Sequence, residues 1–259
     1  MTTQQELIKI NDDQIEGRNS VWEALQAGRP INKIYIKKGE YHGLIRDIIE
    51  KARNTGVPIS EIDEAAFLSM AKTAGHQGIL AKVASKDYYS VEDILKTARD
   101  LDEDPFILIL NELTDPQNLG SIIRTADGMG AHGIIIPKNR ACGITPTVAK
   151  ISSGAVEYVK VARVTNIART IDELKKEGLW IIGADAEGKN YFEVDLTGSI
   201  ALVIGGEDKG LGKLVKQKCD ILVRIPLRGR ITSLNAAVAA SILGYDILRQ
   251  RITSHGQTI

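Results

Sequence analysis

Three short stretches of this 259-residue chain gather the polar groups that chemistry needs, and each stands where an apolar run gives way to a helical pattern. The last of them is Ile225-Pro226-Leu227-Arg228-Gly229-Arg230-Ile231-Thr232-Ser233-Leu234-Asn235, between the apolar run 221–225 and a long alanine-rich helix expected to start near Leu234. At such a junction the strand ladder has ended and the first helical N–H groups lack partners, so the backbone is free to hold a ligand. In the second, Gly205 and Gly206 end an apolar run and Glu207 opens the next loop. Paired glycines let backbone approach a ligand, and a carboxylate at that edge can orient a hydroxyl or amine; a tight turn explains the same residues equally well. In the first, Asp115-Pro116 marks a turn, Asn118 is placed to cap a helix, and Arg124 follows six residues later. A guanidinium on an early helical turn can hold a phosphate or carboxylate; the plain alternative is a capped helix with a solvated arginine.

Other chemistries find little support. Neither glycine cluster fits a GxGxxG dinucleotide fingerprint or a GxxxxGK[ST] phosphate loop, and Gly128-Met129-Gly130 reads as a helix C-cap. Ser233 has no nucleophile-elbow context and no histidine nearby in sequence. The two cysteines, Cys142 and Cys219, fit a reducing cytoplasm and form no metal-ligand spacing. His42, His76, His132 and His255 are scattered, so no metal is expected. There is no run of about 18 apolar residues and no leader-like start, so neither a membrane span nor secretion is expected. The 33 basic residues balance the 33 acidic ones, which removes any global electrostatic argument for nucleic acid. Local clusters remain: Arg29, Lys33, Lys37, Lys38, Arg46, Lys51 and Arg53 in one stretch, Arg224, Arg228 and Arg230 in another. Each is an RNA contact or only a solvated face.

The elements that must position these groups fall into two parts. Residues 1–15 read as a flexible N-terminus. Residues 16–86 alternate between helical and strand patterns: a helix around Val21 and Leu25 capped by Asn19 or Ser20, strands at 31–36, 57–62 and 79–83, and helices at 42–54 and 64–71. That is a small α/β domain. Residues 87–104 are acidic and polar around one amphipathic helix (Val91, Ile94, Leu95, Ala98) and read as a linker. From residue 105 to 259, continuous apolar runs at 106–110, 133–136, 180–183, 201–204 and 221–225 mark parallel strands buried on both faces. The helices between them, one with Thr145 as its cap and Pro146 first, argue a doubly wound sheet.

Taken in order, Asn-x5-Arg, Gly-Gly-Glu-x2-Gly-Leu and Ile-Pro-Leu-x5-Ser-Leu-Asn before an alanine-rich helix resemble the SpoU (TrmH) family of RNA 2′-O-ribose methyltransferases, over about residues 104–251. Gly17-Arg18-Asn19-Ser20-Val21 and His76-Gln77-Gly78 look like that family's ribosomal-protein-like substrate-binding domain, and with both halves matched the nearest branch is the RlmB-type one acting on a guanosine of 23S rRNA. The resemblance implies a SPOUT-type α/β parallel sheet with a C-terminal trefoil knot, preceded by a small α/β ribosomal-protein-like domain. It implies S-adenosylmethionine held largely by main chain around Gly205, Gly206, Ile225, Leu227 and Leu234, and a polar active site at Asn118, Arg124, Glu207, Ser233 and Asn235. It further implies a cytoplasmic homodimer whose partner is RNA, most of all 23S rRNA, with no need for metal or membrane. Asp208 stands where relatives often have a small residue, and Ala236-Ala237 where many have Val-Ser. Three alternatives stay open: a catalytically silent RNA-binding or ribosome-assembly factor, or the same chemistry on tRNA or on an antibiotic-site rRNA adenosine.

Overall fold

The structure, a computed structural model, describes residues 12–84, 86–206 and 210–254; the side chains of Asp12 and Asp13 lie outside the description. The chain divides into two compact units, one through Asp87 and one from Tyr88.

The first unit holds β1 (Asp12–Glu16), α1 (Arg18–Gln26), β2 (Ile31–Lys37), α2 (Leu44–Asn54), β3 (Ile59–Ile62), α3 (Glu64–Met70) and β4 (Ile79–Ala84). Its sheet runs β1-β4-β2-β3, antiparallel except for the β2–β3 pair. Strand β1 is absent from the sequence expectation, which placed residues 12–15 in a flexible N-terminus. Asp-Asp-Gln carries no apolar alternation, so its pairing along β4 is decided by tertiary contact, including a carboxylate at Glu16 that is buried and hydrogen-bonded. Helix α1 also starts earlier than expected. Its cap is Gly17, at a φ of 94°, so Asn19 and Ser20 lie inside the helix. Gln77 supplies the missing acceptor: its Oε1 receives the Arg18 N–H at 3.0 Å, bringing the Gly17 and His76 motifs together.

The second unit holds α4 (Val91–Leu101), β5 (Phe106–Asn111), α5 (Pro116–Gly128), β6 (Gly133–Pro137), α6 (Pro146–Ile151), β7 (Val161–Val164), α7 (Ile167–Lys176), β8 (Trp180–Asn190), β9 (Ile200–Gly205), α8 (Lys213–Lys218), β10 (Ile221–Arg224) and α9 (Ala236–Ser254). Residues 87–104, expected as a linker, contribute instead the first helix of this unit. The capping box of Ser90 and Asp93 starts α4, and Ile94 and Leu95 pack into a core with Ile107, Ile109, Ile171 and Leu174. The sheet is wholly parallel, in the order β10-β8-β9-β5-β6-β7. Helices α4, α7 and α8 cover one face, while α9 packs against α5 and β9. Parallel strands buried on both faces demand the unbroken apolar runs read in the sequence, and β5 and β9 carry them.

Two features of this topology build a site. The chain reverses winding direction between β5 and β9, where the strand ends leave a crevice of the kind that takes ligands in open α/β sheets. The connection from β10 to α9 then runs back from the sheet edge, past β8, to reach β9 and α5.

Candidate active site

The C-terminal ends of β8, β9 and β10 enclose a cleft of about 370 Å³, within the range of small-molecule and cofactor sites. Strand β8 forms one wall. It pairs with β10 at Gly183–Leu222 and again at Lys189–Val223, so residues 184–188 bulge out of the ladder between these two pairs. Gly188 makes the bulge possible: a Cβ there would lie 2.4 Å from the carbonyl carbon of Leu222. Asp185 and Glu187, on the bulge, both hold Lys216 of α8, at 2.9 and 2.7 Å. Hydrogen bonding to Glu187 and Asp185 raises the Lys216 ammonium above its ordinary range, so it stays charged.

Gly205 and Gly206 form the floor, and their smallness serves the protein's own turn. A Cβ on Gly205 would stand 2.2 Å from the Gly210 carbonyl carbon, and one on Gly206 would stand 2.7 Å from the Glu112 carbonyl oxygen. Gly210 N–H closes the loop onto the Gly206 carbonyl at 3.0 Å, and Asn111 Nδ2 pins it by donating to the Leu211 carbonyl, also at 3.0 Å. The tight-turn reading therefore holds, and it brings both glycines to the cleft wall.

Residues 225–235 close the other side. Ile225, Leu227, Ser233 and Leu234 all line the cleft. Asn235 turns away from it and caps α9: its Oδ1 accepts from Ala237 and Val238 N–H at 2.9 and 3.2 Å. Its Nδ2 donates to the buried Oδ1 of Asn118 at 2.8 Å, joining the first and third junctions. One cap thus differs from expectation: Asp115, not Asn118, caps α5, with Pro116 in its first turn. Thr145 caps α6 as its spacing predicts.

Comparison with known proteins decides the family. Residues 105–245 match the model of the SpoU rRNA Methylase family, and residues 14–89 match that described as RNA 2′-O ribose methyltransferase substrate binding. The chain belongs to the SpoU family of RNA methyltransferases. Among SpoU relatives, a putative TrmH family tRNA/rRNA methyltransferase (YacO) of Bacillus subtilis strain 168 is 47% identical over 240 residues, covering 92% of this chain and 96% of its own. One named putative TrmH family tRNA/rRNA methyltransferase, from Staphylococcus aureus strain MSSA476, is 42% identical over 243 residues, covering 93% and 98%. The SpoU methyltransferase AviRb of Streptomyces viridochromogenes, crystallised in complex with AdoMet, superposes with a TM-score of 0.79 at 26% identity, over 93% of this chain and 91% of its own.

Within this SpoU chain the expected polar residues separate into groups. Ser233 faces the cleft and Asn118 and Asn235 brace it from behind. Arg124 stands exposed on α5, outside the cleft lining, with its Nη1 donating to Ser153 Oγ at 3.2 Å. Glu207, with Asp208 and Lys209, lies outside the described residues. The Asp185–Glu187–Lys216 group was missed by sequence reasoning. Its one signal is the small, acidic Ala-Asp-Ala-Glu-Gly that interrupts an apolar strand between Gly183 and Lys189. Among the described residues no cluster of histidine, cysteine or carboxylate groups could hold a metal ion, and no helix is long and apolar enough to cross a membrane.

Proposed function

We propose that this chain methylates a ribose 2′-hydroxyl of a guanosine in 23S rRNA, with S-adenosylmethionine as methyl donor. The observation that carries the reading is the cleft itself: the second and third junctions wall it, and the Asn118–Asn235 bond ties the first junction to it. The cleft suits that cofactor. Backbone at Gly205 and Ile225, where strands end, and at Leu234, just before α9, lines the cleft and can bind by main chain. When bound, the cofactor supplies an activated methyl group, so the protein's tasks are positioning and removal of one proton.

Arg124 does not take that proton, because a guanidinium stays protonated in proteins. It clamps a substrate phosphate and lowers the barrier to alkoxide formation electrostatically. Ser233 orients the reacting groups from within the cleft; the family resemblance assigns the same task to Glu207, which lies outside the described residues. Asn118 and Asn235 brace the cleft from behind. Because Arg124 is exposed on α5 away from its own cleft, a homodimer that presents it to the partner's cleft is part of the reading. So is the trefoil knot, supported by the return of residues 225–235 from the sheet edge to β9 and α5. The rRNA substrate draws support from the SpoU rRNA Methylase description and from the presence of a substrate-binding unit.

The test is a map of 2′-O-methyl sites in rRNA and tRNA from cells with and without the gene. Loss of a single 23S guanosine methyl is expected; a change confined to tRNA, or an unchanged map, overturns the assignment.

A further inference from the structure

The first unit carries an electrostatic conflict that the fold does not need. Strands β2 and β4 run antiparallel, and their register sets Lys33 directly opposite Lys82. Side chains so paired have Cβ atoms roughly 4.5–5.5 Å apart, and like charges there are destabilising. Neither ammonium forms an ion pair among the described residues. The carboxylate one row along the same face, Glu16 beside Leu80, cannot relieve them. It already accepts from Lys72 N–H, Thr73 N–H, the Thr73 hydroxyl and Gln14 Nε2. Glu64 is likewise committed, to Lys37 at 2.8 Å. Tyr35 completes the patch: it lies two residues along β2 on the same face, partly exposed, with Lys33 Nζ 5.2 Å from its ring centroid.

We propose that Lys33, Lys82 and Tyr35 form an RNA-docking surface in which the two lysines grip one backbone phosphate and the tyrosine ring stacks against a neighbouring base. A phosphate placed between two unpaired ammonium groups converts their repulsion into attraction and releases condensed counterions. An aromatic ring beside lysines on a sheet face is the arrangement by which single-stranded RNA is held without dependence on base identity. Charge decides against an acidic protein as occupant: the phosphate supplies one compact anion for two adjacent cations, and the ring has no role for a carboxylate. The inference rests on the RNA-substrate reading, and it assigns to particular residues a task that the family description gives only to residues 14–89 as a whole.

The test uses the full chain with Lys33→Met and Lys82→Met, singly and together, and Lys96→Met as a control. Lys96 is already paired with Asp100 on α4. Binding of a fluorescent fragment of 23S rRNA is followed by anisotropy across a salt series, with S-adenosylmethionine affinity and thermal stability measured in parallel. The double variant is expected to bind RNA at least about tenfold more weakly and to lose roughly 0.7 from the slope of log K against log salt, the value for one single-strand phosphate contact. Its cofactor affinity should be unchanged, and its melting temperature should hold or rise as the repulsion is removed. Tyr35→Leu should weaken RNA binding with no change in slope. Retention of RNA affinity and slope in the double variant overturns the proposal, as does an equal effect from Lys96→Met. Competition by polyglutamate as effective as by RNA overturns it in favour of an acidic protein partner. A wild-type chain that binds no RNA at all fails the substrate reading as well, so the two failures are distinguishable.

Discussion

Replacing Asn235 separates two jobs that its side chain performs at once. Its Oδ1 caps α9, and its Nδ2 donates to the buried Oδ1 of Asn118 at 2.8 Å. Losing an N-cap costs about 1 kcal/mol. Leaving a buried acceptor without its donor costs about 1–3 kcal/mol. Asn235→Ala loses both, about 2–4 kcal/mol, whereas Asn235→Ser retains a capping oxygen and loses only the bridge. At about 2–4 °C per kcal/mol for a unit of this size, the alanine variant should melt roughly 4–16 °C below wild type. The serine variant should recover the 2–4 °C due to the cap. S-adenosylmethionine binding should fall in both, because Ser233 and Leu234 of the cleft wall immediately precede the bridge. Calorimetric titration and thermal melts of the two variants, with Asn118→Ala and the double variant, complete a cycle. A direct bridge requires an interaction energy of about 0.5–3 kcal/mol between the two positions. Strict additivity, or a serine variant as stable as wild type, would refute the bridging argument.

Four further outcomes are expected. Gly205→Ala forces a Cβ to within 2.2 Å of the Gly210 backbone, so it should cost about 1–3 kcal/mol and weaken S-adenosylmethionine binding at least about tenfold; titration at wild-type affinity would show that the loop does not need this glycine. Arg124→Lys should lower kcat, since an ammonium lacks the guanidinium fork. Ser153, at a φ of 52°, holds that fork in place, so Ser153→Gly should relieve backbone strain yet lower kcat several-fold, by on the order of 1 kcal/mol. Ser153→Asn, which tolerates the same backbone and keeps an acceptor, should restore it; a fully active glycine variant would show that Arg124 needs no such support. Acid should weaken the two units in different windows. Burial, reinforced by Arg251 and opposed by Glu103, holds the His132 imidazole below its ordinary 6.5. Its contribution is therefore present above that value and lost as pH falls through the lower folded one. Burial would raise the Glu16 carboxyl, but hydrogen bonds from the Thr73 hydroxyl, Lys72 N–H, Gln14 and Thr73 N–H outweigh it, so its contribution persists until below its ordinary 4.5. Hydrogen exchange between pH 7 and 4 should show protection falling in the second unit first; simultaneous loss would contradict this assignment.

What was legible in the sequence followed from local physics. The apolar runs of β5, β6 and β9 declare themselves because a strand buried on both faces has no polar positions to hide it. Helix α4 was equally plain, with Ile94, Leu95 and Ala98 at helical spacing, but its place in the core was not, because its outer face is as acidic as a linker. β1 and the bulge at residues 184–188 were invisible for another reason. Each is defined by a partner distant in sequence, β4 for one and β10 for the other, and only pairing decides whether Asp-Asp-Gln or Ala-Asp-Ala-Glu-Gly becomes sheet or loop.

The same distinction runs through the candidate site. Ser233 and Gly205 could be placed from their junctions, since a strand end dictates where neighbouring side chains emerge. Asn118 and Asn235 carry the same side chain at two helix starts, and nothing local says which one caps. The outcome turns on Asp115 and Pro116, which begin α5 three residues early and push Asn118 inward, where its amide must find a partner or pay a desolvation cost. Asn235 provides that partner while keeping its own cap. Two requirements of burial and capping, each ordinary alone, therefore converge on one bond between residues 117 positions apart. Arg124 faces the opposite demand: for the phosphate clamp proposed for it, the charge has to remain in solvent, and exposed on α5 beside Ser153 it does.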